Sequence, residues 1–180
     1  MRTDFFKVSF ALFITFLLLF APAFLMQKLF SNIFISGIVN GLSQFATLPF
    51  LPYMNKKISR RKGLMTTFGL NAIFTLLQFI LNPSGCLNCT KKLTSVFVLV
   101  FFFTARFFIN LNSNFFINTL NETFPAQIRS ICYIGVVEMG RFSSLMIPYI
   151  PKLKQWLSLS YDLIFVFAGL LGVLASFILR

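Results

Sequence analysis

The chain has 180 residues, of which 16 are Lys or Arg, 4 are Asp or Glu and none is His, giving a formal net charge of +12. Hydrophobic residues make up 57% and charged residues 11%, Phe occurs 27 times and the mean hydropathy is +0.84, whereas a soluble domain carries about 25% charged residues. This excludes a water-soluble globule and predicts an all-α membrane protein. The absence of His removes triad and most general-base chemistry, and so few carboxylates cannot build metal clusters. No enzyme, cofactor or metal site is therefore expected. The basic residues sit between apolar runs, so they read as orientation signals for a bilayer and not as a nucleic-acid surface.

A membrane-spanning helix needs about 20 mostly apolar residues. Six runs meet that length and form a single six-helix domain over 1–180: roughly 5–26, 33–53, 64–81, 93–118, 130–150 and 158–179. They are too long, and lack the alternation, for barrel strands. In the first run Arg2, Lys7 and Ala21-Pro22-Ala23 resemble a signal peptide with a small-residue cleavage site. Its apolar core from Val8 to Phe20 is long for such a segment, so a retained helix is the reading adopted. With six spans, one side carries Arg2, Lys7, Lys56, Lys57, Arg60, Arg61, Lys62, Arg129 and Arg180; the other has only Lys28, Lys91, Lys92, Lys152 and Lys154. That bias puts both termini in the cytoplasm. Cys86 and Cys89 then fall in an external loop as C-x-x-C. No further ligands stand nearby for zinc and no βαβ context for a thioredoxin role, so they read as separate thiols or a local disulfide. Asn88-Cys89-Thr90 fits a glycosylation acceptor on that side, whereas Asn121-Glu122-Thr123 fits the pattern on the cytoplasmic side. Cys132, inside the fifth run, reads as packing.

Polar residues inside the runs are expensive. A mid-bilayer charge costs about 2.5–3.5 kcal/mol on insertion scales. Arg106 stands in the fourth run, and Glu138 and Arg141 in the fifth, spaced i and i+3 so that they share a face and can pair. The pair reads either as a charged site on a water-filled path or as a self-neutralised pair that stabilises the bundle. Arg106, Asn110, Asn114 and Asn118 recur every fourth residue, with Ser113 beside them. Asn40 and Gln44 do the same in the second run, continued by Gly37 and Thr47, and Asn71 and Gln78 lie two turns apart in the third. One such stripe could be interhelical hydrogen bonding; polar faces on four of six helices favour a shared wet cavity.

The segment Asn121-Glu122-Thr123-Phe124-Pro125-Ala126-Gln127-Ile128-Arg129-Ser130 resembles the E-x-x-P-T-x-x-R signature of the major facilitator superfamily, and more narrowly that of its organic cation/anion transporters. Glu122, Pro125 and Arg129 match, and Ala126 replaces Thr. Ala105-Arg106-Phe107 stands where that family has a G-K-F-like opening of its tenth helix. Arg141, Pro148, Tyr149 and Ile150 resemble the end of its eleventh. Lys57-Ile58-Ser59-Arg60-Arg61 resembles the D-x-x-G-R-R loop between helices eight and nine, with Lys56 in place of Asp and Ser59 in place of Gly.

The resemblance implies the C-terminal six-helix half of a twelve-helix carrier, whose halves rock around a central site. It implies a secondary transporter for a small organic ion in the lipid bilayer, completed by a homodimer partner or by a missing N-terminal half. The family position of Arg141 is basic in anion carriers, which favours an anion, although Glu138 can neutralise it. Substrate contact is then assigned to Arg141, Glu138, Arg106, Asn110, Asn114, Asn40 and Gln44. A cytoplasmic gate network is assigned to Lys57, Arg60, Arg61, Glu122, Pro125 and Arg129, with positive-inside signalling an equal reading for Arg60 and Arg61. The competing expectation is a six-helix membrane protein that does not transport.

Overall fold

The structure is a computed structural model that describes residues 2–29, 33–81, 92–125, 127–157 and 161–178. It is all-helical over those residues: α1 (Arg2–Leu29), α2 (Ile33–Lys57), α3 (Arg60–Leu81), α4 (Lys92–Thr123), α5 (Arg129–Phe142), a 3-10 segment (Ser143–Tyr149), α6 (Ile150–Leu157) and α7 (Tyr161–Ile178). Each expected run is helical, and most extend into their connectors. The basic connector after α2 nearly vanishes, because Asn55, Lys56 and Lys57 continue α2, and Ile58 and Gly63 keep helical bonds to Met54 and Ser59 at 3.0 and 2.8 Å. Cys86, Asn88 and Cys89 lie outside the described residues.

Three described stretches are long and apolar enough to cross a membrane, not the expected six: Arg61–Leu81, Val96–Leu120 and Arg129–Lys152. The apolar stretches Phe5–Phe20 and Tyr161–Phe177 are shorter, and in α2 Asn40, Gln44, Pro49, Pro52 and the terminal lysines dilute the hydropathy.

The fifth run is not one α-helix. Pro148 and Pro151 have no N–H to return to the carbonyls of Ser144 and Ile147. The chain tightens before them into the 3-10 segment, where the Ile150 N–H reaches the Ile147 carbonyl. The Ser144 hydroxyl donates to the Arg141 carbonyl at 2.6 Å. Residues 151–157, expected as a connector, are the body of α6.

Packing forms two layers. Helices α2, α4, α1 and α5 stand in a row; α3 backs α4, α7 backs α1, and α3 and α7 pack on each other. Leu12, Leu18, Phe68, Ile109, Phe115, Phe116 and Val136 fill the space between them. This pattern is unchanged when α1, α2 and α3 are exchanged with α4, α5 and α7. The α2–α4 contact maps onto α5–α1, and α3–α4 onto α7–α1. The exchanged helices α2 and α5 also share a Pro-x-x-Pro spacing near their ends, Pro49/Pro52 and Pro148/Pro151, the latter carried just beyond α5. Close approach of α7 to α3 relies on glycine: a Cβ on Gly172 of α7 would stand 2.5 Å from the Phe68 ring of α3.

Candidate functional site

Arg106 lies near the middle of the apolar stretch Val96–Leu120 and is 2% exposed. Its Nη1 donates to the Leu19 carbonyl at 2.6 Å and, more weakly, to that of Leu18 at 3.4 Å. Its Nη2 donates to Asn40 Oδ1 at 2.9 Å, and its Nε is buried with no acceptor. The guanidinium therefore ties α4 to α1 and α2 through neutral oxygens alone. The α1 carbonyls it uses lie one turn before Pro22, whose missing N–H releases the carbonyl of Leu18 from its own helix.

The asparagine run of α4 divides between two directions. Asn110 Nδ2 donates to Ser43 Oγ at 3.0 Å and Asn114 Nδ2 to Thr47 Oγ1 at 3.4 Å, both on α2. Ser43 and Thr47 donate in turn to the Asn40 and Gln44 carbonyls at 2.7 and 2.6 Å. Asn112 points the other way and is fully buried: Nδ2 donates to Thr15 Oγ1 of α1 at 3.3 Å, and the Thr67 hydroxyl of α3 lies 2.7 Å from its Oδ1. This second network is buried and joins three helices. Four polar faces thus do not converge on one cavity. The second one is packing, and Gln78, expected with Asn71 on a polar face of α3, instead donates to Asp162 Oδ1 of α7 at 3.4 Å.

The first network borders an open groove of about 500 Å³ lined by Leu19, Gly41, Gln44, Phe45, Leu48, Asn110, Ser113 and Asn114. Its polar edge is formed by Gln44, which is exposed, and by Ser113 and the two asparagines of α4. Pro49 and Pro52 cannot bond the carbonyls of Phe45 and Leu48, so the α2 wall also offers backbone acceptors. Gly41 has no atom within 4 Å of an added Cβ, and it leaves the mouth open. The groove can hold a molecule of modest size against amide, hydroxyl and apolar contacts, with a buried cation behind it.

Of the residues assigned to substrate contact, Gln44, Asn110 and Asn114 line this groove, and Arg106 with its partner Asn40 lies behind its wall. Arg141 and Glu138 pair with each other at 2.9 Å on the outer surface of α5, with side chains 65% and 58% exposed, and do not line it. Of the gate residues, Lys57 donates to Tyr53 Oη at 2.9 Å. Arg61 donates to the Phe177 carbonyl of α7 at 2.6 Å and lies 4.6 Å over the Phe177 ring. Arg129 Nε donates to the Phe124 carbonyl at 3.4 Å, and Pro125 is exposed in the turn between α4 and α5. These side chains use local or backbone partners. The side chains of Arg60 and Glu122 lie outside the described residues.

Sequence reasoning missed Thr15 and Ser43, whose hydroxyls accept from the asparagines, and Thr67, whose hydroxyl donates to Asn112. Threonine and serine carry no periodic signal in an apolar helix because they also bond their own backbone, as Thr15 does to the Ala11 carbonyl at 2.9 Å. Among the described residues no group of His, Cys, Asp or Glu is placed to hold a metal ion. No family model, curated protein or solved structure matches the chain.

Proposed function

We propose that this chain is an integral membrane protein that moves a small organic ion across a bilayer by alternating access, as one six-helix half of a carrier resembling the major facilitator superfamily. The observation that carries the reading is the position of the groove. It opens between α2 of the first helix triplet and α4 of the second, at a contact between the exchanged triplets. Secondary transporters built from internal repeats keep their substrate sites at such junctions, near interrupted helices. Pro49 and Pro52, which free carbonyls in a continuous α2, and the 3-10 segment with Pro148, which breaks the fifth run, stand at corresponding places.

Such halves act in pairs, so a second six-helix unit completes the path; a second copy or another segment can supply it. The ion pair Glu138–Arg141 supports this. It is exposed near the middle of the apolar stretch Arg129–Lys152, where hydrocarbon is the least favourable neighbour. Because Glu138 matches the charge of Arg141, that pair does not decide the sign of the substrate. Both termini are placed in the cytoplasm by the lysine and arginine bias.

The test is uptake by proteoliposomes of a panel of small organic cations and anions. Saturable uptake that is abolished by Gly41→Phe, which fills open space at the groove mouth, is expected. Inert vesicles containing folded, correctly inserted protein would leave the second reading, a six-helix membrane protein that does not transport. One contact favours that reading: Arg61 is tied to the end of α7 and not held ready for a gate partner.

A further inference from the structure

The charge on Arg106 is not neutralised. Its acceptors are two backbone carbonyls and the Asn40 amide, one N–H has no acceptor, and among the described residues no carboxylate pairs with it. A guanidinium does not shed its proton to escape burial, so a full positive charge sits inside an apolar stretch. The groove begins beside it. Leu19 both accepts from Arg106 and lines the groove, Asn110 is one turn further along α4, and Gly41 follows Asn40 directly. On the open side, the Gln44 amide and the Ser113 hydroxyl bond no side chain or carbonyl among the described residues and can donate to a ligand. The groove-wall carbonyls are neutral, so the net local charge is that of Arg106. In a low-dielectric wall it acts over a turn of helix with little screening.

We infer that the groove selects anions, and that the Asn40–Arg106 couple sets this sign: a neutral amide at position 40 leaves the guanidinium charge to be felt in the groove, where a monocarboxylate of benzoate size binds to Gln44 and Ser113. This rests on the groove being the substrate site, as proposed above. It assigns the selecting charge to Arg106 and takes it from Arg141, whose charge Glu138 already matches.

The experiment is equilibrium binding to the full chain in lipid nanodiscs, with benzoate and phenyltrimethylammonium as probes. Wild type is expected to prefer benzoate by at least about tenfold. Asn40→Asp keeps the shape of the side chain, places a carboxylate at the 2.9 Å contact and should erase that preference. Glu138→Gln, which frees Arg141, should leave benzoate affinity within about twofold, and Gly41→Phe should remove binding of both probes. Asn110→Asp, which puts the carboxylate one turn along α4, answers the same question should Asn40→Asp fail to fold. An unchanged preference in these Asp variants, with Gly41→Phe still blocking, would overturn the charge assignment while the groove stands. A stronger benzoate preference in Glu138→Gln would return the role to Arg141. Binding of neither probe, or binding indifferent to Gly41→Phe, would remove the groove itself.

Discussion

Three glycines separate the cost of close helix packing from the cost of glycine itself. At Gly172 an added Cβ meets Phe68 Cδ1 at 2.5 Å, Cε1 at 2.6 Å and Cγ at 3.0 Å. Carbon contacts are comfortable at about 3.5–4.0 Å, so α7 or the ring must shift by about 1 Å. Phe68 is 0% exposed and at the centre of the core, which gives the ring no free side. Overpacking of this kind costs about 1–3 kcal/mol, while alanine in place of glycine returns up to about 1 kcal/mol of helix propensity. Gly172→Ala should therefore destabilise by about 1–2 kcal/mol. At Gly140 the overlap is as deep, 2.5 Å to Phe16 Cδ2, but Phe16 is only half-buried and stacks on the exposed Phe20. That ring can turn outward, but Leu12 Cδ2 stands 2.8 Å from the same Cβ and Leu12 is fully buried, so Gly140→Ala should destabilise by about 1 kcal/mol. Gly41 meets nothing within 4 Å, so Gly41→Ala should stabilise by about 0.5–1 kcal/mol. The assay is the temperature at which the monodisperse peak is lost in detergent size-exclusion chromatography, where about 1 kcal/mol corresponds to about 2–4 °C for a chain of this size. The expected order is Gly172→Ala lowest, Gly140→Ala between it and wild type, and Gly41→Ala above wild type. A Gly172→Ala protein as stable as Gly41→Ala would mean that α7 does not pack on Phe68, and the two-layer arrangement would fall with it.

Asn112→Ala should lower stability by about 1–2 kcal/mol in the same assay. It loses two interhelical bonds worth about 0.6 kcal/mol each and leaves a small void, while Thr15 and Thr67 fall back on their own helices. A neutral result would show that the buried network adds nothing to packing. Arg61→Gln removes the hydrogen bond and the ring contact to Phe177, at a cost of about 1 kcal/mol. Amide exchange should quicken in the last turn of α7 and remain unchanged in α1; equal change in both would point to general loosening. Glu138→Gln in detergent should cost more than the roughly 1 kcal/mol of a water-exposed pair, because detergent tails cover the outer face of α5 and leave the Arg141 charge unpaired there. A loss below about 1 kcal/mol would place the pair against water.

That the runs are helical was legible because a long apolar run has few other readings, but only three described stretches are long and apolar enough to cross a membrane. The break in the fifth was not anticipated, although Pro148 and Pro151 stood in plain sight. Whether a proline bends, tightens or merely rides in a helix depends on what packs around it, and Pro49 and Pro52 leave α2 continuous. The asparagine stripe of α4 was visible as a polar face. Asn112, two residues from each of Asn110 and Asn114, lies about 200° round the helix from them, and what stayed hidden was its partners, Thr15 and Thr67, which are 97 and 45 residues away. Arg106 was recognisable as costly, yet its settlement on carbonyls of α1 follows from tertiary placement. Arg141 and Glu138 were read correctly as a pair, and their i, i+3 spacing fixed that locally. Which way the pair faces depends on how α5 lies on α1, where Gly140 sits against Leu12 and Phe16.

The 3-10 segment Ser143–Tyr149 stores length and rotation. A 3-10 helix rises about 2.0 Å per residue against about 1.5 Å in an α-helix, so its 7 residues stand about 3.5 Å taller than they would at α pitch. They are also wound further by about 20° per residue, about 140° in all. Rewinding them would act as a screw. It would draw α6 and its outward Trp156 toward α5 by more than half a helical turn's rise, and swing Tyr149 to another side. Its counterpart α2 carries the same proline spacing already at α pitch, so the two triplets hold one sequence device in two settings.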